Sequence, residues 1–138
     1  MVSGITKDAE NANGPGRPLR IVIVEDEYLV ACELELSLLA AGFEVCGIAV
    51  RADEAVACVL KEQPDLVIMD IRLLGSKDGV AAAIEIYNRS NIRSIFTTAH
   101  ADDETRSRAE AARPLGWVAK PYAGGTLVRT IRQVRAAL

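Results

Sequence analysis

The chain has a single histidine, and its three cysteines, Cys32, Cys46 and Cys58, show no C-x-x-C spacing. A zinc site or a disulfide framework needs a better ligand set, so neither is expected. Each cysteine sits among apolar neighbours, as a small buried hydrophobe does. No apolar run approaches the roughly 18–20 residues that span a bilayer. Nor does an apolar core follow a basic segment at the amino terminus, so no secretory signal is visible and the compartment is read as the cytoplasm. Basic excess is missing too. The 16 Lys+Arg against 19 Asp+Glu leave a formal charge of −3, which argues against direct nucleic-acid binding through phosphates.

What is present fits one domain with a proper core: 138 residues, 50% hydrophobic and 25% charged. Residues 1–18, ending NANGPGRP, lack hydrophobic periodicity and read as a flexible leader outside the fold. From Leu19 to Leu138 a regular beat sets in. LRIVIV is a short continuous apolar run, as in a parallel strand covered on both faces. EYLVACELELSLLAA is rich in helix formers and stops at Gly42. EVCGIAV then predicts a strand, ADEAVACVLKE a helix ending before Pro64, and DLVIMD a third strand. VAAAIEIYNR (helix), RSIFTT (strand), DDETRSRAEAA (a polar helix), GWVA (strand) and TLVRTIRQVRAAL (an amphipathic helix) complete the series. Five strand–helix repeats with short connections predict an α/β fold, a doubly wound five-stranded parallel sheet with helices on both faces.

All strands of such a sheet end on one edge, where ligands gather near the point at which strand order reverses. The first strand delivers Glu25 and Asp26 there, the third Asp70, the fourth Thr97 and Thr98, and the fifth Lys120 against Pro121. Polar residues are common at strand ends because chains surface there. An ordered set of three carboxylates, a hydroxyl and an ammonium is far rarer. Close carboxylates stay ionised together only around a cation, and oxygen-only ligation favours Mg²⁺. With Lys120 and a threonine beside it, the set suits a phosphoryl group in transit to a carboxylate nucleophile. Glu27 opens the first helix, where negative charge suits the dipole, and is read as structural.

The motifs IVIVEDE, LVIMD, Asp78-Gly79, FTTA and WVAKP together resemble the receiver domain of bacterial two-component response regulators, with its flavodoxin-like (βα)5 fold, over about Leu19 to Leu138. The resemblance implies that Asp70 accepts a phosphoryl group from a sensor histidine kinase or phosphotransfer protein. It implies Mg²⁺ on Glu25, Asp26, Asp70 and the backbone carbonyl of Arg72, and acyl-phosphate contacts from Thr98 and Lys120. It implies a cis Lys120-Pro121 bond, which only X-Pro adopts readily. Thr98 and Trp117 would form the switch, with Trp117 where Tyr or Phe is more usual. Arg72 and His100 would tune access of hydrolytic water. The output face, and a possible homodimer interface, would be the fourth helix, fifth strand and fifth helix. The loop IRLLGSKDG departs from the family by one extra residue and by lacking Met-Pro. FTTAH and KPY loosely resemble a subgroup of stand-alone receivers, though Thr97 and Ala99 depart from its F-A-T-G motif.

The leading expectation is a stand-alone response regulator, with no output domain after Leu138, that docks to a partner protein or acts as a phosphate shuttle or sink. It would catalyse only its own phosphorylation and dephosphorylation and so is not expected to be a metabolic enzyme. A phosphorylation-independent interaction module of the same fold is the alternative, but such modules usually lack a residue of the acidic pocket. A metal-dependent phosphohydrolase would want a second Asp two residues after its nucleophile, where this chain has Arg72, and a cap over its substrate.

Overall fold

The computed structural model describes residues 16–122 and 124–138. Five strands, β1 (Arg20–Val24), β2 (Glu44–Ala49), β3 (Leu66–Asp70), β4 (Ser94–Thr98) and β5 (Gly116–Ala119), form one parallel sheet in the order β2-β1-β3-β4-β5. Between and after them lie α1 (Tyr28–Ala40), α2 (Ala52–Glu62), α3 (Gly79–Ser90), α4 (Asp103–Ala109) and α5 (Gly124–Val134). The expected alternation is therefore observed. Of the expected leader, residues 1–15 lie outside the described residues. Arg17 pairs with Asp65 at 3.1 Å, and its carbonyl accepts from Arg135 at 3.3 Å.

Strand alternation sorts the core into two layers. Val22, Val24, Val67, Met69 and Phe96 face one way and pack with Val56, Val59, Val80 and Ile86 of α2 and α3. Ile21, Ile23, Leu66, Ile68 and Ile95 face the other way and pack with Leu34 and Leu38 of α1 and Leu127 and Ile131 of α5. The helices thus divide two to one face and three to the other, α4 reaching the first layer through Ala109. The apolar strands are continuous because both faces are covered.

Most helix boundaries follow local chemistry. Asp78 and Asp102 cap α3 and α4 by accepting from Ala81 N at 2.9 Å and Thr105 N at 2.8 Å. Gly42, at φ +92°, supplies the left-handed turn after α1. Two ends differ from the sequence reading. Residues Glu110–Ala112 and Arg135–Ala137, expected as continuous helix, tighten into 3₁₀ turns, a common way to finish a helix that lacks a strong cap.

Candidate functional site

Strand order reverses between β1 and β3, and their carboxyl ends meet there with Val24 beside Met69. The next residues are Glu25, Asp26 and Asp70, whose carboxylate oxygens lie within 4.8 Å of one another. Glu25 is 1% exposed and Asp70 4%. Lys120, arriving from the end of β5, bridges the two buried acids, donating to Glu25 Oε1 at 2.7 Å and Asp70 Oδ2 at 3.1 Å. Their remaining oxygens accept from the chain: Glu25 Oε2 from Glu27 N at 3.1 Å, Asp70 Oδ1 from Arg72 N at 3.2 Å. The Lys120-Pro121 peptide is cis.

The charges are unequal: one ammonium faces three carboxylates. Burial, and next the charge of Glu25, push the Asp70 carboxyl up to about 6 despite Lys120. Burial and Glu25 raise Asp26 as well. Burial pulls Lys120 down, but its hydrogen bond to Glu25 and the charge of Asp70 outweigh it and hold the ammonium above its ordinary value. An all-oxygen donor set with surplus negative charge, two of its acids buried, fits a hard divalent cation. The three acids could hold one.

The surplus has a measurable consequence. Because Asp70 titrates higher folded than its unfolded value near 3.9, the native state holds the extra proton between about pH 4 and 6. Stability of the metal-free protein is therefore expected to fall as pH rises through that window. Asp70→Asn should remove this slope and stabilise the metal-free protein at pH 7 by on the order of 2 kcal/mol, with the advantage gone by about pH 4. Urea unfolding in chelator across this range checks it. An advantage equal at both ends would assign the effect to packing.

The other expected residues are placed less uniformly. Thr98 is buried at the end of β4, but its hydroxyl donates to His100 O at 2.9 Å and accepts from His100 N at 3.2 Å. Thr97 is buried beside Asp70 in the β3–β4 register. The side chains of His100 and Arg72 are exposed. Trp117 is half-buried, stacked on Phe96 at 4.8 Å, with the Arg106 guanidinium 4.5 Å from its ring centre.

Three participants were not singled out as site residues from sequence. Gly79 packs α3 so closely under β3 that a Cβ there would stand 1.9 Å from the Asp70 carbonyl oxygen. Arg108 of α4 grips Asp78 in the loop after β3. Tyr122 lines a groove of about 410 Å³ with Lys120, Pro121, Val30 and Leu34, and burial pushes its phenol up to about 12. Gly79 and Tyr122 left traces in the sequence, in the quoted Asp78-Gly79 pair and in KPY, while Arg108 stood in no quoted motif.

The profile of the response regulator receiver domain family matches residues 21–132, and the chain belongs to this family. It is 33% identical over 130 residues to the transcriptional regulatory protein PdtaR of Mycobacterium tuberculosis, covering 94% of this chain and 61% of that one. It is 31% identical over 114 residues to the phyllosphere-induced regulator PhyR of Methylorubrum extorquens, covering 82% and 42%. The chain thus spans less than two thirds of either relative. Among solved structures, it is similar to the signal receiver domain of a modulated diguanylate cyclase from Desulfovibrio desulfuricans G20, with TM-score 0.81, 36% identity and coverage of 88% and 96%. Domains of this family are generally signalling domains and not catalysts of a metabolic reaction. Among the described residues, no helix is long and apolar enough to cross a membrane.

Proposed function

We propose that Asp70 accepts a phosphoryl group from a phosphohistidine on a sensor kinase or phosphotransfer protein. The observation that carries this reading is the Lys120 bridge between two buried carboxylates from different strands. In the step, an Asp70 oxygen forms the new bond to phosphorus while the P–N bond of the donor breaks and its imidazole leaves with the electron pair. Arg72 N, on Asp70 Oδ1, fixes the carboxylate's orientation. Lys120 stays charged beside it, placed to offset negative charge on the incoming oxygens. Glu25, Asp26, Asp70 and the Arg72 carbonyl would hold Mg²⁺, which when bound supplies Lewis-acid charge for phosphoryl oxygens. The test is uptake of label from a phosphohistidine donor, expected with Mg²⁺ and lost in chelator or in Asp70→Ala.

The signal would follow from Thr98. Its hydroxyl leaves the His100 backbone for the new phosphoryl oxygens, a charge-assisted bond replacing a neutral one. That draws in the turn between β4 and α4 and changes the surroundings of Trp117 on the next strand. Partner docking in the cytoplasm, or onward transfer of the phosphoryl group as a shuttle or sink, would use the resulting state. The folded unit would comprise residues 19–138. With its exposed side chain two residues beyond Thr98, His100 would govern the approach of hydrolytic water. His100→Ala is expected to change the decay rate of phosphorylated protein severalfold without abolishing phosphorylation. Following the label after donor removal measures this, and an unchanged half-life would remove His100 from the mechanism.

A further inference from the structure

The outer surface of α1 is apolar where a solvent-facing helix is normally polar. Ala31, Leu34 and Leu38 bury the inner face, while Leu29, Leu36 and Leu39 are 75%, 69% and 50% exposed. At 100° per residue Leu29 and Leu36 lie opposite the buried stripe and Leu39 to one side of it, with Glu33 on one flank of the three and Glu35 on the other. The helix carries no basic residue. Beside it in the same layer runs α5, which carries no acid and exposes Arg129 and Arg132. Among the described residues, α4, β5 and α5 expose no large hydrophobic side chain. The apolar surface is thus not on the face expected to serve a homodimer.

An acidic, leucine-crested helix next to a basic one is a surface complementary to itself. We infer that the α1–α5 face binds a second copy of this chain, with α1 of each copy lying on α5 of the other. Charge selects the symmetry. A two-fold axis across the helices would set α5 on its own counterpart, Arg129 and Arg132 against like charges. An axis running parallel to them sets α1 on α5, both pointing the same way. Counted from the helix starts, Glu33 holds the same place on α1, five residues beyond Tyr28, as Arg129 on α5, five beyond Gly124. Glu33 thereby meets Arg129 of the second copy, and Leu36 meets the apolar stem of Arg132. The same axis brings both copies' Asp70 edges to one end of the dimer.

Sedimentation equilibrium of the full chain, free and loaded with beryllofluoride, tests the assignment. A dimer is expected in at least one state, weaker in high salt because its contacts include exposed charges. Glu33→Arg and Arg129→Glu should each weaken it at least about tenfold, and the double reversal should restore it. Leu36→Ser should weaken it without changing the salt response. Each variant replaces an exposed side chain, so folding is expected to survive, and circular dichroism verifies that. A chain that stays monomeric in both states overturns the inference and leaves the crest to another occupant, such as a basic amphipathic helix of a partner protein. A dimer indifferent to these reversals overturns it equally. Because the free state is measured as well, failure here is distinguishable from failure of phosphorylation at Asp70.

Discussion

Beryllofluoride added with Mg²⁺ is expected to change Trp117 emission saturably in the wild-type chain, and Asp70→Ala is expected to abolish the change completely. This is the larger of the two strongest effects because nothing else in the site can stand in for Asp70. Glu25, the other buried acid, approaches from β1, with one oxygen on Lys120 and the other on the Glu27 backbone. Removing the Asp70 side chain deletes the only carboxylate at the end of β3, and with it the bond any phosphoryl mimic would make. Trp117 is a suitable reporter, since it is the chain's one tryptophan and lies between Phe96 and the Arg106 guanidinium. A shift of the β4–α4 turn, which precedes Arg106, alters that sandwich. Should the emission respond equally in Asp70→Ala, binding would be occurring elsewhere. Silence in both proteins, together with no label uptake from a kinase donor, would favour the phosphorylation-independent interaction module.

Gly79→Ala is expected to destabilise the fold by about 3 kcal/mol or more, which for a domain of this size lowers the melting temperature by roughly 10 °C. The methyl group would meet the Asp70 carbonyl oxygen at 1.9 Å, the Asp70 carbonyl carbon at 2.8 Å and Ile71 Cα at 2.9 Å. All three are backbone atoms, so no side chain can swing away. Either α3 retreats, stretching the 2.7 Å bond from Gly79 N to Ile71 O, or the end of β3 shifts. The second adjustment moves Asp70 itself, so label uptake should fall along with stability. Thermal unfolding followed by circular dichroism measures the first effect. A melting temperature within about 2 °C of wild type would mean that the contact relaxes at little cost.

The parallel sheet and its working edge were legible because strand burial and strand-end chemistry both leave marks in sequence. IVIV and LVIM could be read as strands covered on two faces, and topology alone then carried Glu25, Asp70 and Lys120 to one edge. ADEAVACVLKE and GWVA coincide with α2 and β5. What was not legible depends on side chains meeting across elements. The Arg106–Trp117 stack and the Arg108–Asp78 pair join residues with no periodic relation. Nor could sequence show that the Thr98 hydroxyl is bonded to the backbone of His100, because that depends on a rotamer. At Gly79 the residue was visible but its reason was not, since close approach of two backbones has no sequence period.

Lys120 lies 95 positions after Glu25 and 50 after Asp70, just beyond the edge strand completed last in chain order. During synthesis, the acids of β1 and β3 emerge from the ribosome well before their ammonium does. A nascent chain ending before β5 holds repelling carboxylates and no ammonium to bridge them. If Asp70 is the acceptor proposed above, the Lys120 contact would act as proof of completion, confining that chemistry to chains whose first and last strands have already found the same sheet.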